Sequence, residues 1–299
     1  MELRHIRYFL MVAEEKNFTR AAARLGIGQP PLSMQIRDLE RELKVSLFIR
    51  SSQSTQLTEA GKAFYDAVKP MTAIAEEAVK AAQRAGRGEI GLLHLGFTGT
   101  AGVNPLIPVT IRAFKRTFPE VELKVTEANS IALIDALIAK KLDVALLRPT
   151  ASVPAGICVS DLRDEKLVVA LPSSHPLARQ RGKIDLSLLK YDPFILTPGD
   201  AGVSLREASI QACRQAGFDV IEGQKAPHIV SILSVVAAEL GVSLVPESLT
   251  QFNLTGVSFR QVKMPVPTIG LAAAWNENNK NSVIENFLTE ARSHIRDNR

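Results

Sequence analysis

Apolar positions along the first fifty residues recur at helical intervals. Leu3, Ile6, Phe9, Leu10 and Ala13 line one face of a first helix, and Thr19 stands where it can cap a second, short one carrying Ala21, Ala22 and Leu25. Leu32, Ile36, Leu39 and Leu43 step by four, three and four, a third apolar stripe. The pattern predicts a compact trihelical unit. From Thr58 it narrows: Phe64, Val68, Met71, Ala75, Ala78, Ala82 and Ala85 alternate steps of four and three, an a/d seam sustained to about residue 86. Such a helix would be ~43 Å long. A seam this narrow suits pairing with a second copy better than packing on its own domain. Pro70 lies inside it and is expected to kink or split it.

Beyond Glu89 the pattern turns to strands alternating with helices. Residues 92–97, 121–126 and 144–147 read as strands, with helices over 106–118 and 131–141, a doubly wound parallel arrangement. A second, similar set has strands at 167–171, 194–196 and 242–245 and helices near 205–216 and 229–239. A strand over 269–275 and an amphipathic helix over 283–295 close the chain. The predicted organisation is therefore a trihelical unit over residues 1–57, a linker helix over 58–88, and two α/β lobes over 89–299. Lobe I takes residues 89–161 and 265–299, lobe II residues 162–264, with crossings near residues 161 and 264. A cleft between such lobes, at the carboxyl ends of strands, is the usual place for a ligand.

Composition narrows the classes. With 299 residues, 46% apolar and 22% charged, the chain reads as a globular protein of about two domains, and disorder or a fibrous repeat is excluded. The formal charge of +5 permits a nucleic-acid partner without requiring one. Cys158 and Cys213 lie far apart with no CxxC spacing, so neither a disulfide framework nor a thiol metal site is expected. Residues 91–111 carry no formal charge, yet His94, Asn104, Pro105, Pro108 and four glycines argue against a bilayer span. The short apolar stretch over residues 6–13 leads into Glu14 and Glu15 and does not read as an export signal. The reading is of a cytoplasmic protein without a membrane partner.

Residues 18–43 have the shape of a helix-turn-helix. Ala21 and Ala22 let two helix backbones approach, Gly26 can take the left-handed C-cap, and Pro30 and Pro31 open the next helix where amide donors have no intrahelical partner. Ser33 and Arg37 project together from the face opposite Ile36, Leu39 and Leu43. Between Lys16 and Arg37 there are four bases (Lys16, Arg20, Arg24, Arg37) and no acid, and from Lys44 to Thr58 two bases and again no acid. The third helix's N-terminus, with Gln29 and Ser33, suits phosphate and base-edge contact in a major groove. Residues 47–57 read as a hairpin with Arg50 and the tip Ser51, Ser52, Gln53 and Ser54. An ordinary basic surface on a protein-binding module is the alternative. Met34 offers an apolar surface to a thymine methyl, its expected role being core packing.

These residues resemble the LysR-type transcriptional regulators. The resemblance rests on "LRHIRYFLMVAEEKNFTRAAARLGIGQPPLSMQIRDLERELKVSLFIR", Leu3 to Arg50, then "LTEAG" from Leu57, and further on "SSHPLA" from Ser173 and "GVSLVP" from Gly241. Gly28 departs from it, since the family usually has serine there. The resemblance implies a winged helix-turn-helix, a dimerising linker helix and a two-lobed effector domain like periplasmic binding proteins. It implies a homodimer assembling to a homotetramer that bends promoter DNA. It further implies that a small inducer in the cleft relaxes the bend and alters contact with RNA polymerase. The DNA-binding residues expected are Thr19, Arg37 and Arg50 for backbone contact, Gln29 and Ser33 for base edges or phosphate, and Pro30 and Pro31 for shape and apolar contact.

The loop "GFTGTAGVNP" from Gly96 follows a strand and precedes a helix, so its amides can surround an anion. Its glycines lack the GxGxxG spacing and no P-loop lysine follows, which speaks against a nucleotide. The chain looks most like the aromatic-catabolism branch of the family. That likeness implies an inducer carboxylate held by Thr100, with Phe97 and Thr98 beside it in "GFTGT", by Ser130 in "EANSIAL", and by Val203 and Ser204 in "TPGDAGVSL". Neutral hydroxyls orient an anion without fixing it in a salt bridge. Arg148 and His228 are candidate charged neighbours, the alternatives being an interlobe ion pair for Arg148 and a helix cap for His228.

Three other classes fit the sequence less well. No GxSxG elbow, HExxH pair or His/Cys cluster marks an enzyme, and no catalytic residue, metal or cofactor is expected. A solute-binding transport protein would leave residues 1–88 without a role. Peroxide-sensing relatives carry two cysteines near the helix that ends at Cys213. Here Ser204 stands where the reactive thiol would be, and serine forms no disulfide.

Overall fold

The computed structural model describes residues 1–50, 55–149, 153–199 and 203–296, with side chains at 203, 204 and 294–296 left aside. The chain divides into two compact units, Met1–Arg84 and Ala85–Arg299.

In the first unit, α1 (Leu3–Glu15) buries Ile6, Phe9, Leu10 and Val12, as the apolar spacing requires. Helix α2 (Phe18–Leu25) is capped by Asn17, whose side-chain oxygen accepts the Arg20 amide at 3.0 Å. This corrects the expected Thr19 cap. A cap needs extended backbone with a side chain reaching forward, and Asn17 has it at φ −159°, whereas Thr19 is already inside the helix. The turn closes on Gly26 at φ 68°, a left-handed conformation that glycine takes without a steric penalty. Helix α3 (Gln29–Leu43) buries Leu32, Ile36 and Leu39. Met34, expected in the core, is instead 56% exposed, because it lies two residues from both Leu32 and Ile36 and so points away from their stripe. Strands β1 (Phe48–Arg50) and β2 (Thr55–Leu57) form an antiparallel hairpin. The predicted tip, Ser51 to Ser54, lies outside the described residues.

Phe9 anchors this core, its ring 5.2 Å from Phe48 and 4.9 Å from Phe64. Phe64 belongs to α4 (Glu59–Gly86), 28 residues long. It begins against the hairpin: a Cβ on Gly61 would lie 2.1 Å from the Leu47 carbonyl oxygen, so only glycine permits that approach. The helix runs through Pro70 as one element, so of the expected kink or split the split does not occur. Proline removes one amide from the ladder, and the rungs on either side keep the helix in register. Past Val68 the helix exposes Met71, Ile74 and Val79.

The second unit opens with β3 (Ile90–Phe97), the one-turn α5 (Gly99–Gly102), α6 (Leu106–Thr117), β4 (Glu120–Glu127), α7 (Ser130–Ile138) and β5 (Val144–Leu147). The long β6 (Ile157–Pro172) is followed by β7 (Pro193–Leu196), α8 (Val203–Gln215), β8 (Ile221–Lys225), α9 (Ile229–Ala237), β9 (Ser243–Pro246) and β10 (Val257–Gln261). The chain returns through β11 (Thr268–Asn276) and ends in α10 (Ser282–Arg296).

Strand β3 lies parallel between β4 and β5, as predicted. The rest of the seven-stranded sheet corrects the parallel reading, since β11 runs antiparallel to β5 and β6, and β9 and β10 run antiparallel to β6. A strand that brings the chain back must run against the one that carried it out. Strand β6 exchanges partners along its length: Ile157 to Lys166 pair with β11, and Leu167 to Pro172 with β9 and β10. One core gathers Leu93, Phe114, Ala273 and Phe287; the other gathers Val169, Phe194, Ile232 and Val245. Among the described residues no helix is long and apolar enough to cross a membrane.

Candidate nucleic-acid face and ligand cavity

In the first unit, Gly28 precedes α3 with extended backbone, so Gln29, Pro30 and Pro31 stand exposed in its first turn. The Gln29 Nε2 donates to Ser33 Oγ at 2.9 Å, one helical turn on, which orients both polar groups along the same edge. Arg37 and Thr19 are exposed. The acid-free stretch is less positive than its sequence suggests, because Glu15 reaches into it. Glu15 pairs with Arg24 at 2.6 Å and with Arg20 at 3.4 Å. Arg37 has no ion-pair partner among the described residues.

Arg50 is held from two sides. Its guanidinium lies 5.0 Å from the Phe18 ring and 3.2 Å from Glu40 Oε2. The other oxygen of Glu40 accepts the amides of Leu47 at 2.7 Å and Phe48 at 3.1 Å, so this one carboxylate fastens α3 to the hairpin. The apolar and basic patterns of the sequence do not mark Glu40 for that role. A carboxylate that takes two backbone amides and a guanidinium has few acceptor positions left.

In the second unit, the carboxyl ends of the adjacent parallel strands β3 and β4, in register at Phe97 and Glu127, open onto a cavity of about 670 Å³. The structure brings Phe97, Thr98, Thr100, Ser130 and His228 together there. Thr98 is buried, accepts the Ala101 amide at 3.2 Å and lies 3.1 Å from the Thr100 hydroxyl. Across the cavity α9 begins at His228, which makes no side-chain cap, so the first amides of that helix are left for another acceptor. Helix α7 begins beside them, capped by Asn129 through the Ala132 amide at 2.8 Å. Val203 and Ser204 open α8; their side chains, like the loop at 200–202, lie outside the described residues.

Arg148 does not line the cavity, which corrects its placement beside a ligand. It is wholly buried, in an ion pair with Glu165, and donates to the Thr100 carbonyl at 2.8 Å. Glu165 also accepts from Asn104 and from the Ser248 amide, each at 2.8 Å. Burial works to raise its pKa, yet Arg148, Ser248 and Asn104 outweigh burial and hold the carboxyl below the ordinary value. Arg148 thus acts on the cavity only through the Thr100 backbone.

The reading of the sequence missed Glu127, Asn129 and Thr197 on the cavity wall. Glu127 was within reach of it, being the last residue of a parallel strand, where ligands in such sheets lie.

Two family descriptions match: "Bacterial regulatory helix-turn-helix protein, lysR family" over residues 3–62 and "LysR substrate binding domain" over residues 86–296. The chain is similar to the HTH-type transcriptional regulator BudR of Raoultella terrigena, 34% identical over 288 residues that cover 96% of this chain and 99% of that protein. It is also similar to the Hca operon transcriptional activator HcaR of Escherichia coli (strain K12), 34% identical over 290 residues and 96% of each. In structure it resembles CbnR, a LysR family transcriptional regulator, with a TM-score of 0.81 at 25% identity over 98% of this chain and 100% of that one. A helix-turn-helix with an exposed polar first turn and a separate unit built around a ligand-sized cavity are the two working parts of one kind of molecule. The chain belongs to the LysR family of DNA-binding transcriptional regulators and carries an effector-binding domain over residues 86–296.

Proposed function

We propose that this regulator reads double-stranded promoter DNA in paired half-sites and that a small, aromatic carboxylate in the cavity of the second unit controls it as an activator. Gln29 and Ser33 take base edges or phosphate, Pro30 and Pro31 shape the approach, and Thr19, Arg37 and Arg50 take the backbone. The seam of α4 pairs two copies into a homodimer, homodimers assemble to a homotetramer, and the inducer changes the bend of the DNA and the contact with RNA polymerase.

The observation that carries the inducer class is the cavity wall. Thr98, Thr100 and Ser130 supply hydroxyls, and the uncapped first turn of α9 supplies amides and the positive end of a helix dipole. Phe97, Val103, Leu205 and Ile229 supply apolar surface for a ring. A carboxylate of this kind should raise the melting temperature of the full-length protein, and Thr100→Val should diminish that rise. A panel of benzoate-like and hydroxycinnamate-like acids with no effect, or an undiminished rise in the variant, would overturn the assignment. Footprinting on the protein's own promoter, with and without the acids, tests the coupling to DNA.

A further inference from the structure

The cavity contains a carboxylate that the proposed ligand does not explain. Glu127 lines the wall with no hydrogen bond or ion pair among the described residues. It sits directly over the hydroxyl-bearing loop: a Cβ on Gly99 would lie 2.9 Å from Glu127 Oε1, so the glycine leaves room for the acid at that spot. The described lining holds no lysine or arginine, and His228 is its one basic side chain. Two guanidiniums reach the carbonyls of lining residues from behind, Arg148 to Thr100 and Arg206 to Thr197, and each is already paired with a carboxylate, Glu165 and Glu222 respectively. A ligand whose only polar group is a carboxylate would thus meet a like charge on the cavity wall, with no lysine or arginine in the described lining to offset it.

Resting on the carboxylate reading above, we propose that Glu127 selects ligands that carry a hydrogen-bond donor, a hydroxyl or an amino group, in addition to the carboxylate. The negative end lies with His228, the first amides of α9 and the Ser130 hydroxyl. The donor end lies with Glu127. A hydrogen bond to an ionised group is among the stronger ones, and a ligand lacking the donor also leaves the acid desolvated and unpaired. Glu127 is then the residue that sets specificity within the class of small aromatic acids.

The test uses the purified full-length protein and measures Kd by calorimetry for benzoate, its 2-, 3- and 4-hydroxy and 4-amino derivatives, and 4-hydroxybenzyl alcohol. These are measured on the native protein, Glu127→Gln and Glu127→Leu. Glu127 is exposed, and ligand-free melting curves establish that the variants fold. At least one donor-bearing acid should bind the native protein about tenfold or more tightly than benzoate. That advantage should vanish in Glu127→Leu, which cannot accept, and benzoate should bind Glu127→Gln more tightly than the native protein. Equal affinity for benzoate and every derivative, or an unchanged ratio in Glu127→Leu, overturns the proposal and leaves the carboxylate reading standing. If no acid binds, the carboxylate reading falls. Binding of 4-hydroxybenzyl alcohol that disappears in Glu127→Leu would then sustain the donor role alone, and no binding of it would overturn both.

Discussion

The guanidinium of Arg148 and the carboxylate of Glu165 form a buried ion pair that joins β5 to β6 at the point where β6 changes partners. Each group is satisfied further, Arg148 by the Thr100 carbonyl and Glu165 by Asn104 and Ser248, so the pair ties the cavity loop to both halves of the sheet.

Removing one member strands the other charge in the interior. Arg148→Ala should lower the stability of the second unit by ~3–5 kcal/mol, whereas Arg148→Met combined with Glu165→Leu should recover much of it. The single tryptophan, Trp275 on β11, reports on this unit in urea unfolding. A double variant no more stable than Arg148→Ala would show that the ion pair is not what the core depends on.

The depressed Glu165 carboxyl has a definite acid signature. The unfolded chain takes up a proton there near the ordinary glutamate value, about 4.3, while the folded chain resists it to a lower pH. The stabilisation is therefore complete above that value and is lost as pH falls toward the folded one. Glu165→Gln should flatten the fall in stability below about pH 4.3. A variant profile parallel to the native one would assign the acid loss to other groups.

On the DNA side, Arg50 must leave Glu40 to meet a phosphate. Arg50→Ala should reduce the slope of log affinity against log salt by ~0.9, the value for one neutralised phosphate. An unchanged slope with unchanged affinity would remove Arg50 from the interface and leave it as the partner of Glu40 and Phe18.

The two cysteines should differ sharply in reactivity. Cys213 is fully buried and burial pushes its thiol up to about 12, whereas Cys158 is half-buried. A thiol reagent at neutral pH should modify at most one cysteine of the native chain, and peroxide should leave Cys213 reduced. Rapid modification of both would restore the redox-sensing reading.

Gly61 supports a fifth expectation. Alanine normally favours a helix, yet here its methyl would meet the Leu47 carbonyl at 2.1 Å. Gly61→Ala should destabilise the first unit by ~1–3 kcal/mol, the usual cost of overpacking. A raised melting temperature would mean that α4 shifts off the hairpin freely.

What the sequence disclosed depended on how many residues shared a signal. The stripe through Ile36 repeats often enough to fix a helix face, and Leu32, Ile36 and Leu39 are buried where the spacing puts them, while the repeat through Val68 fixed the long helix itself. The first half of β6 escaped detection because Asp161, Arg163, Asp164 and Lys166 are exposed on a strand whose pairing comes from β11, about a hundred residues away. An ion pair was one of the two readings of Arg148, but its partners escaped for a similar reason, since nothing near it in sequence announces Glu165 or the Thr100 carbonyl. The cavity residues divide differently: Thr100 and Ser130 were carried by local motifs, whereas Glu127 had only its place at the end of a strand to mark it.

The core built around Leu93 and Phe114 also contains Ala273, Phe287 and Ala291, so its halves come from opposite ends of the second unit. The core between them in sequence, from Leu167 to Ile269, is nearly complete in one continuous stretch. During synthesis the inner lobe can therefore close on the ribosome while the outer one waits for the last thirty or so residues, holding β3 to β5 without their neighbour β11. A stop codon or proteolytic cut in α10 would cost the lobe that begins the unit, far from the break in sequence.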